Sequence, residues 1–302
     1  MKKTRFIKCT IALALAFIFA CNILSCKKLP ETVISETDTY YSYVNISYGD
    51  HERHYLDLVI PKDDNVSGGM ILYIHGGGWI GGDKEVHLDA LKSNADRGYI
   101  SAAINYRYAD GKKVTCEDIL DDIEAALVEI KKICNSRNIE VDKVMLAGGS
   151  AGGHLSLMYA YTRVDTAPIT PVAVASYAGP TDLYESDFYI TSYVEDIKKM
   201  ISKISGVDIV NGNIADYENE LLIASPISYV DENTVPTLIC HGTVDDVVPY
   251  NNATKLYELL CEYGIDCELI TFKNSGHGLE SDPEASKYSD QRFYEFAEKY
   301  LR

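Results

Sequence analysis

Short apolar runs alternate with longer amphipathic ones along most of the chain. Residues 43–48 and 54–60 alternate apolar with polar positions, as strands with one covered face do. Pro61 to Gly69 is a turn-rich break, and Met70 to Ile74 is a short apolar strand that runs into three consecutive glycines. The spacing then predicts a helix over Asp83–Gly98 with a glycine stop, a strand over Tyr99–Asn105 and a long amphipathic helix over Thr115–Cys134. In that helix Ile119, Ile123, Leu127 and Ile130 mark one face, and Thr115 with Asp118 forms a variant of a capping box. Strands over Lys143–Ala147, Val172–Tyr177, Thr237–His241 and Cys267–Phe272 follow, with helices over Ala151–Tyr161, Asn252–Tyr263 and Gln291–Leu301.

Apolar strands that alternate with helices predict an α/β fold: a mainly parallel central sheet with helices on both faces. The stretches at 43–60 add an antiparallel edge. Residues 182–225, rich in Tyr, Asp, Ser and Ile, interrupt the rhythm and read as a small helical cap insertion over the C-terminal edge of the sheet. One domain, 41–302 with this insertion, fits the 302 residues, and no internal repeat is present.

The ends and the charge change the picture in two ways. Lys2, Lys3, Arg5 and Lys8 precede an uncharged apolar run from Ile11 to Ala20, too short to span a bilayer as a mature helix. Residues 1–25 therefore read as an export signal. Ile23-Leu24-Ser25-Cys26 resembles a bacterial lipobox, which makes Cys26 the lipidation candidate; Ala20-Cys21 is a second one. On this reading 26–40 is a polar tether and the protein is an exported lipoprotein whose only membrane contact is its N-terminal lipid. Plain cleavage to a secreted or periplasmic protein is the alternative. The net charge of -17 offers nucleic acid no basic patch. Cys116, Cys134, Cys240, Cys261 and Cys267 lack metal-ligand spacing and read as structural buried thiols, with Cys261 and Cys267 the nearest pair.

Gly148-Gly149-Ser150-Ala151-Gly152 fits G-x-S-x-G between a predicted strand and a predicted helix. A nucleophilic serine needs such a turn, so that Oγ stands clear of the sheet and the helix N-terminus faces developing negative charge. His75-Gly76-Gly77-Gly78-Trp79 follows another strand. Glycines there let backbone N–H groups approach a tetrahedral oxyanion, and Gly77, Gly78 and Ala151 are assigned as its donors, with Trp79 beside the acyl group. Neither a Walker A nor a dinucleotide fingerprint occurs, so these glycines do not read as a phosphate cradle. Of seven histidines, His277 lies in a small-residue loop after the last strand and reads as the base. His75 reads as an anchor of its loop, His154 and His241 as supports, and His51, His54 and His87 as surface residues. The third member is a carboxylate in the loop 241–249, where Asp245 and Asp246 compete. The order Ser, Asp, His is the one this chemistry takes on a strand-to-helix elbow.

These motifs, with Arg53, Leu56-Asp57, Asn105-Tyr106-Arg107, Ser225-Pro226 and Gly276-His277-Gly278, resemble the α/β-hydrolase superfamily from about Tyr43 to Leu301. Within it the chain resembles the bacterial carboxylesterases related to hormone-sensitive lipase and the BD-FAE feruloyl-esterase-like group. The resemblance implies that Asp245, fourth after His241, is the triad acid. It also implies that the second and third glycines, Gly77 and Gly78, donate to the oxyanion. Gly149 stands where relatives often carry an acidic residue or histidine. The implied activity is hydrolysis of small carboxylic esters, acetyl or feruloyl groups on polysaccharide among them, through Ser150, His277 and Asp245, with no metal or cofactor. A serine amidase or peptidase, or a non-catalytic surface protein of the same fold, stays open.

Overall fold

The computed structural model describes residues 30–62 and 68–302. Residues 1–25, read above as an export signal, and Cys26 lie outside the described residues. Nine strands form one sheet: β1 (Val33–Glu36), β2 (Tyr40–Ser47), β3 (Tyr55–Pro61), β4 (Gly69–Ile74), β5 (Ile100–Ile104), β6 (Lys143–Gly149), β7 (Thr170–Tyr177), β8 (Thr237–Gly242) and β9 (Cys267–Phe272). The helices are α1 (Leu88–Ala95), α2 (Cys116–Ser136), α3 (Ala151–Thr162), α4 (Val194–Ser205), α5 (Glu218–Ile223), α6 (Asn251–Glu262) and α7 (Pro283–Leu301).

The strand order is β1-β2-β3-β5-β4-β6-β7-β8-β9. The first four strands in that order pair antiparallel, and from β5 to β9 every pair is parallel. Helices α2, α3 and α6 pack on one face around Leu72, Ile74, Leu146 and Ile239, and α7 packs on the other around Ile71, Met145 and Phe293. On that second face α1 covers Val59 and Ala103 through Leu91 and Ala95. Strands covered on both sides must be apolar on both sides, which is why β4, β6 and β8 read as continuous runs. Helix α3 lies at the centre and is buried from Ala151 to Tyr161, so it carries no polar stripe.

The chain leaves β4 to form β5 on one side and returns to form β6 on the other. A crevice opens at such a reversal, outside the carboxyl ends of the strands. The ends of β4 and β6 are where His75 and Ser150 follow.

Three boundaries differ from the sequence reading. The polar tether is not featureless, because Val33–Glu36 pairs with β2 as an exposed edge strand. Both its faces meet solvent, so no alternation marks it, and its backbone bonds to β2 are what hold it. The last helix begins at Pro283 rather than Gln291, since proline suits the first helical position and the opening turns are too exposed to need an apolar stripe. The segment 83–98 is a 3-10 turn over Lys84–His87 followed by α1, with Gly98 at φ +81°. Asp118 accepts the Thr115 backbone N–H at 2.9 Å, as the box at the start of α2 requires. The insertion forms α4 and α5 with 3-10 turns at Ser186–Ile190 and Ile214–Tyr217. Cys116, Cys134 and Cys240 are buried thiols, but Cys261 is exposed and Cys267 half-buried, their sulfurs 3.6 Å apart. The end of α6 and the start of β9 bring these two together near the surface, where Cys267 packs against the edge of the core and Cys261 faces solvent.

Candidate active site

Strand β6 ends in a turn so tight that Ser150 takes φ +54° and ψ -124°. A side chain rarely occupies that region, and holding it there costs roughly 1–3 kcal/mol. The surroundings enforce it. A Cβ on Gly148 would lie 2.4 Å from the Gly152 carbonyl carbon, and one on Gly152 would lie 2.0 Å from Ile74 O. Only glycine lets β4, β6 and α3 meet so closely. The Ser150 N–H donates to Tyr177 O at 2.8 Å, which fixes the elbow to β7. Gly149 has room for a side chain, its added Cβ meeting only Tyr177 O at 3.7 Å.

His277 arrives from the loop after β9. Its Nε2 lies 2.9 Å from Ser150 Oγ, and its Nδ1 lies 2.8 Å from Asp245 Oδ2. The loop that carries it is tied down by Asp282, which accepts from Asn274 N–H and the Ser275 hydroxyl. Gly242 allows β8 to close on that loop, since a Cβ there would lie 2.2 Å from Ser275 O. Asp245 takes the backbone N–H groups of Val247 and Val248 on Oδ1 at 2.9 and 3.0 Å, leaving Oδ2 for His277. Its side chain is fully buried. Burial alone would raise its carboxyl, but hydrogen bonds from His241 and His277 overcome this and hold it well below the usual carboxylate range. A buried anion that accepts Nδ1–H leaves Nε2 bare to face the serine. Asp246, the competing carboxylate, is exposed.

The glycine loop folds over the elbow. A Cβ on Gly76 would sit 2.8 Å from Gly149 O and 3.5 Å from Ser150 Cβ. Gly77 and Gly78 have φ of +116° and +60°. Among the described residues no acceptor takes the N–H of Gly77, Gly78 or Ala151. From the insertion, Met200 on α4 packs on Gly78, where an added Cβ would lie 2.2 Å from its sulfur.

Trp79 is a correction. Its ring is 4% exposed in the core, and its indole N–H donates to His154 Nδ1 at 3.1 Å. A large apolar ring with one donor settles where that donor finds a buried acceptor, so Trp79 braces the glycine loop against α3 rather than lining an acyl pocket. His154 completes the brace by donating Nε2–H to Ala224 O at 2.8 Å, before the Ser225-Pro226 step. His54 and His87 are also not surface residues. His54 pairs with the buried Asp122 at 3.1 Å, and His87 stacks on Tyr73 at 5.0 Å.

Sequence reasoning gave no role to the groups that hold the glycine loop from behind. The fully buried Lys84 donates to Asp57 and to Asn45, at 2.9 and 2.8 Å. Asn105 accepts Lys84 N–H and donates to Asp83. Leu56-Asp57 and Asn105-Tyr106-Arg107 carried the resemblance, but only the fold reveals that Asp57 and Asn105 meet at Lys84.

Burial pushes the imidazoles of His75, His87 and His154 down to about 4. Unfolding releases each to about 6.5, so the unfolded chain binds more protons below that value. Their contribution is therefore complete above about pH 6.5 and is lost as pH falls towards 4, by up to about 3 kcal/mol each. Together they lose about 6 kcal/mol by pH 5, so we expect the urea midpoint to fall by about 2 M or more between pH 7.5 and pH 5. An unchanged midpoint would contradict neutral buried imidazoles.

The BD-FAE family model matches residues 56–260. "Probable carboxylic ester hydrolase LipM" of Mycobacterium tuberculosis (strain ATCC 25618 / H37Rv) is 29% identical over 222 residues, covering 69% of this chain and 49% of LipM. The chain spans about half the length of the curated relatives it matches. Among solved structures, a truncated form of a carbohydrate esterase from gut microbiota superposes with TM-score 0.66 at 22% identity, covering 85% of this chain and 97% of that one. Esterase 2 of Thermogutta terrifontis, phosphorylated by paraoxon, gives 0.62 at 20% identity, covering 89% and 94%. At these identities the structural likeness shows the fold, which is that of the α/β-hydrolases.

Proposed function

The chain belongs to the BD-FAE family, and from that premise we propose that it is a serine carboxylic ester hydrolase. The observation that carries the proposal is one hydrogen-bonded line, Ser150–His277–Asp245, set beside three unengaged backbone N–H groups. His277 Nε2 takes the serine proton as Oγ attacks the ester carbonyl. The oxyanion forms against the N–H groups of Gly77, Gly78 and Ala151, which are oriented before the reaction begins. Asp245 keeps His277 in the accepting tautomer and stabilises the imidazolium. His277 then protonates the leaving alcohol, and water repeats the sequence on the acyl-enzyme.

For the substrate, we infer an acyl group borne on carbohydrate, acetyl or feruloyl. Family membership and likeness to a carbohydrate esterase support this. Residues 30–302 are to be assayed on acetylated xylan, methyl ferulate and acetyl, butyryl and octanoyl p-nitrophenyl esters. Release from xylan or ferulate is expected. Activity on the simple esters alone would overturn the carbohydrate assignment. Silence on all of them, with cleavage of an anilide, would overturn the ester assignment in favour of an amidase.

A further inference from the structure

We propose that Arg53 is a positioning residue: through His75 it sets the plane of the Gly76–Gly77 peptide and so aims the Gly77 N–H at the oxyanion. This rests on the reading of Gly77 as an oxyanion donor. The chain of contacts is short. The Arg53 Nη2 lies 3.2 Å from His75 Nε2 and 3.1 Å from Gly82 O, bridging the two ends of the glycine loop. Its Nε donates to Tyr106 O at 2.8 Å, and its guanidinium carbon lies over the Tyr108 ring, 3.8 Å from the centroid. A guanidinium can only donate, so His75 Nε2 must accept and the ring proton sits on Nδ1. That Nδ1–H donates to Gly76 O at 2.7 Å. The imidazole is itself stacked on Tyr106 at 4.3 Å, and the Tyr106 hydroxyl donates to His75 O at 3.0 Å.

The peptide bond links this to the reaction. No cis peptide occurs among the described residues, so Gly76 C=O and Gly77 N–H lie in one plane and point in opposite directions. Holding the carbonyl towards His75 points the N–H away from it. Both glycines have wide conformational freedom, and without the bond the peptide could turn over at little cost. Gly82 confirms how tightly the arrangement is packed: a Cβ there would lie 2.1 Å from Gly76 O and 2.5 Å from His75 Nδ1. The permanent charge of Arg53 also keeps His75 neutral, since an imidazolium would face it at 3.2 Å. Lysine cannot replace the fork, because one ammonium cannot reach His75, Gly82 O and Tyr106 O together.

Arg53→Gln and Arg53→Lys test this, the second keeping the charge should the first fold poorly. Turnover of p-nitrophenyl acetate is measured per active site titrated with a fluorophosphonate, at a temperature where circular dichroism shows the protein folded. We expect kcat to fall on the order of 10²-fold, as when an oxyanion donor is lost, with KM within about 3-fold. The inhibition constant of a trifluoromethyl ketone, which forms the oxyanion on the serine, should rise by the same factor as kcat falls. A purely structural role would lower the melting temperature and the titrated fraction but leave kcat per active site unchanged, and that result overturns the proposal. Ser150→Ala is assayed in parallel. If activity survives there, the reading of the site itself fails; if only the Arg53 variants keep full kcat, this inference alone fails.

Discussion

Replacing Ser150 with alanine is expected to lower ester turnover by roughly 10³-fold or more, the scale on which triad members act as a unit. The substitution removes one oxygen and nothing that packs. The Ser150 N–H keeps its bond to Tyr177 O, and the glycines around the turn are untouched. The variant should therefore fold, bind substrate with a near-normal affinity and stop at the chemical step. Labelling by a fluorophosphonate should vanish with it, because the reagent needs an oxygen whose proton His277 can take. Ser150→Gly adds a second readout. It also abolishes turnover, and it relieves a side chain held at φ +54°, so it should raise stability by about 1 kcal/mol. An alanine variant with turnover within tenfold of the parent would remove Ser150 from the mechanism. A glycine variant less stable than the alanine one would mean that the turn holds no strain.

Much of this arrangement was legible before any coordinates, for a physical reason. A nucleophile elbow demands small residues on both sides of one serine, and a parallel sheet demands apolar strands, so Gly148–Gly152 and β4, β6 and β8 leave marks in the sequence that neighbours cannot hide. His277 and Asp245 were legible as loops after strands, although their choice over Asp246 and six other histidines drew on resemblance. The residues behind the glycine loop were not legible as a group. Asp57, Lys84, Asn105 and Arg53 are polar side chains on separate elements, and nothing local distinguishes a buried ion pair from a solvated one. Trp79 misled because its neighbours in sequence face the reaction while its own ring, turned at φ +63°, enters the core. The edge strand β1 was missed because a strand that buries nothing follows no hydrophobic pattern, and the start of α7 for the same reason.

Asp245→Asn should cripple turnover on the same scale as loss of the serine, by about 10⁴-fold, although it changes neither size nor shape. The direction follows from which oxygen bonds to what. Val247 and Val248 both donate to Oδ1, so an asparagine must keep its carbonyl there and turn its NH2 group towards His277. That group donates and cannot accept. His277 then has to present a bare Nδ1 to it and carry its proton on Nε2, facing Ser150 with a donor where the reaction needs an acceptor. The imidazolium formed in the transition state would also lose its counter-charge. His241 worsens the fit, since its Nε2 lies 2.9 Å from Val248 O and 3.3 Å from Asp245 Oδ2 and so has a proton of its own directed at the same place. The native carboxyl is held below its unfolded value, so its contribution to stability is present above about pH 4 and is lost as pH falls through the folded value. The parent and the variant should therefore differ in urea midpoint at pH 7 and converge in acid. Asp246→Asn is the control: its carboxylate is exposed, and turnover should stay within about twofold, the scale of a surface change with no bonded partner. Should Asp246→Asn be the damaging substitution and Asp245→Asn the silent one, the acid of the triad would have to be reassigned, and the bonds of Asp245 to Val247 and Val248 would then serve only to shape the loop.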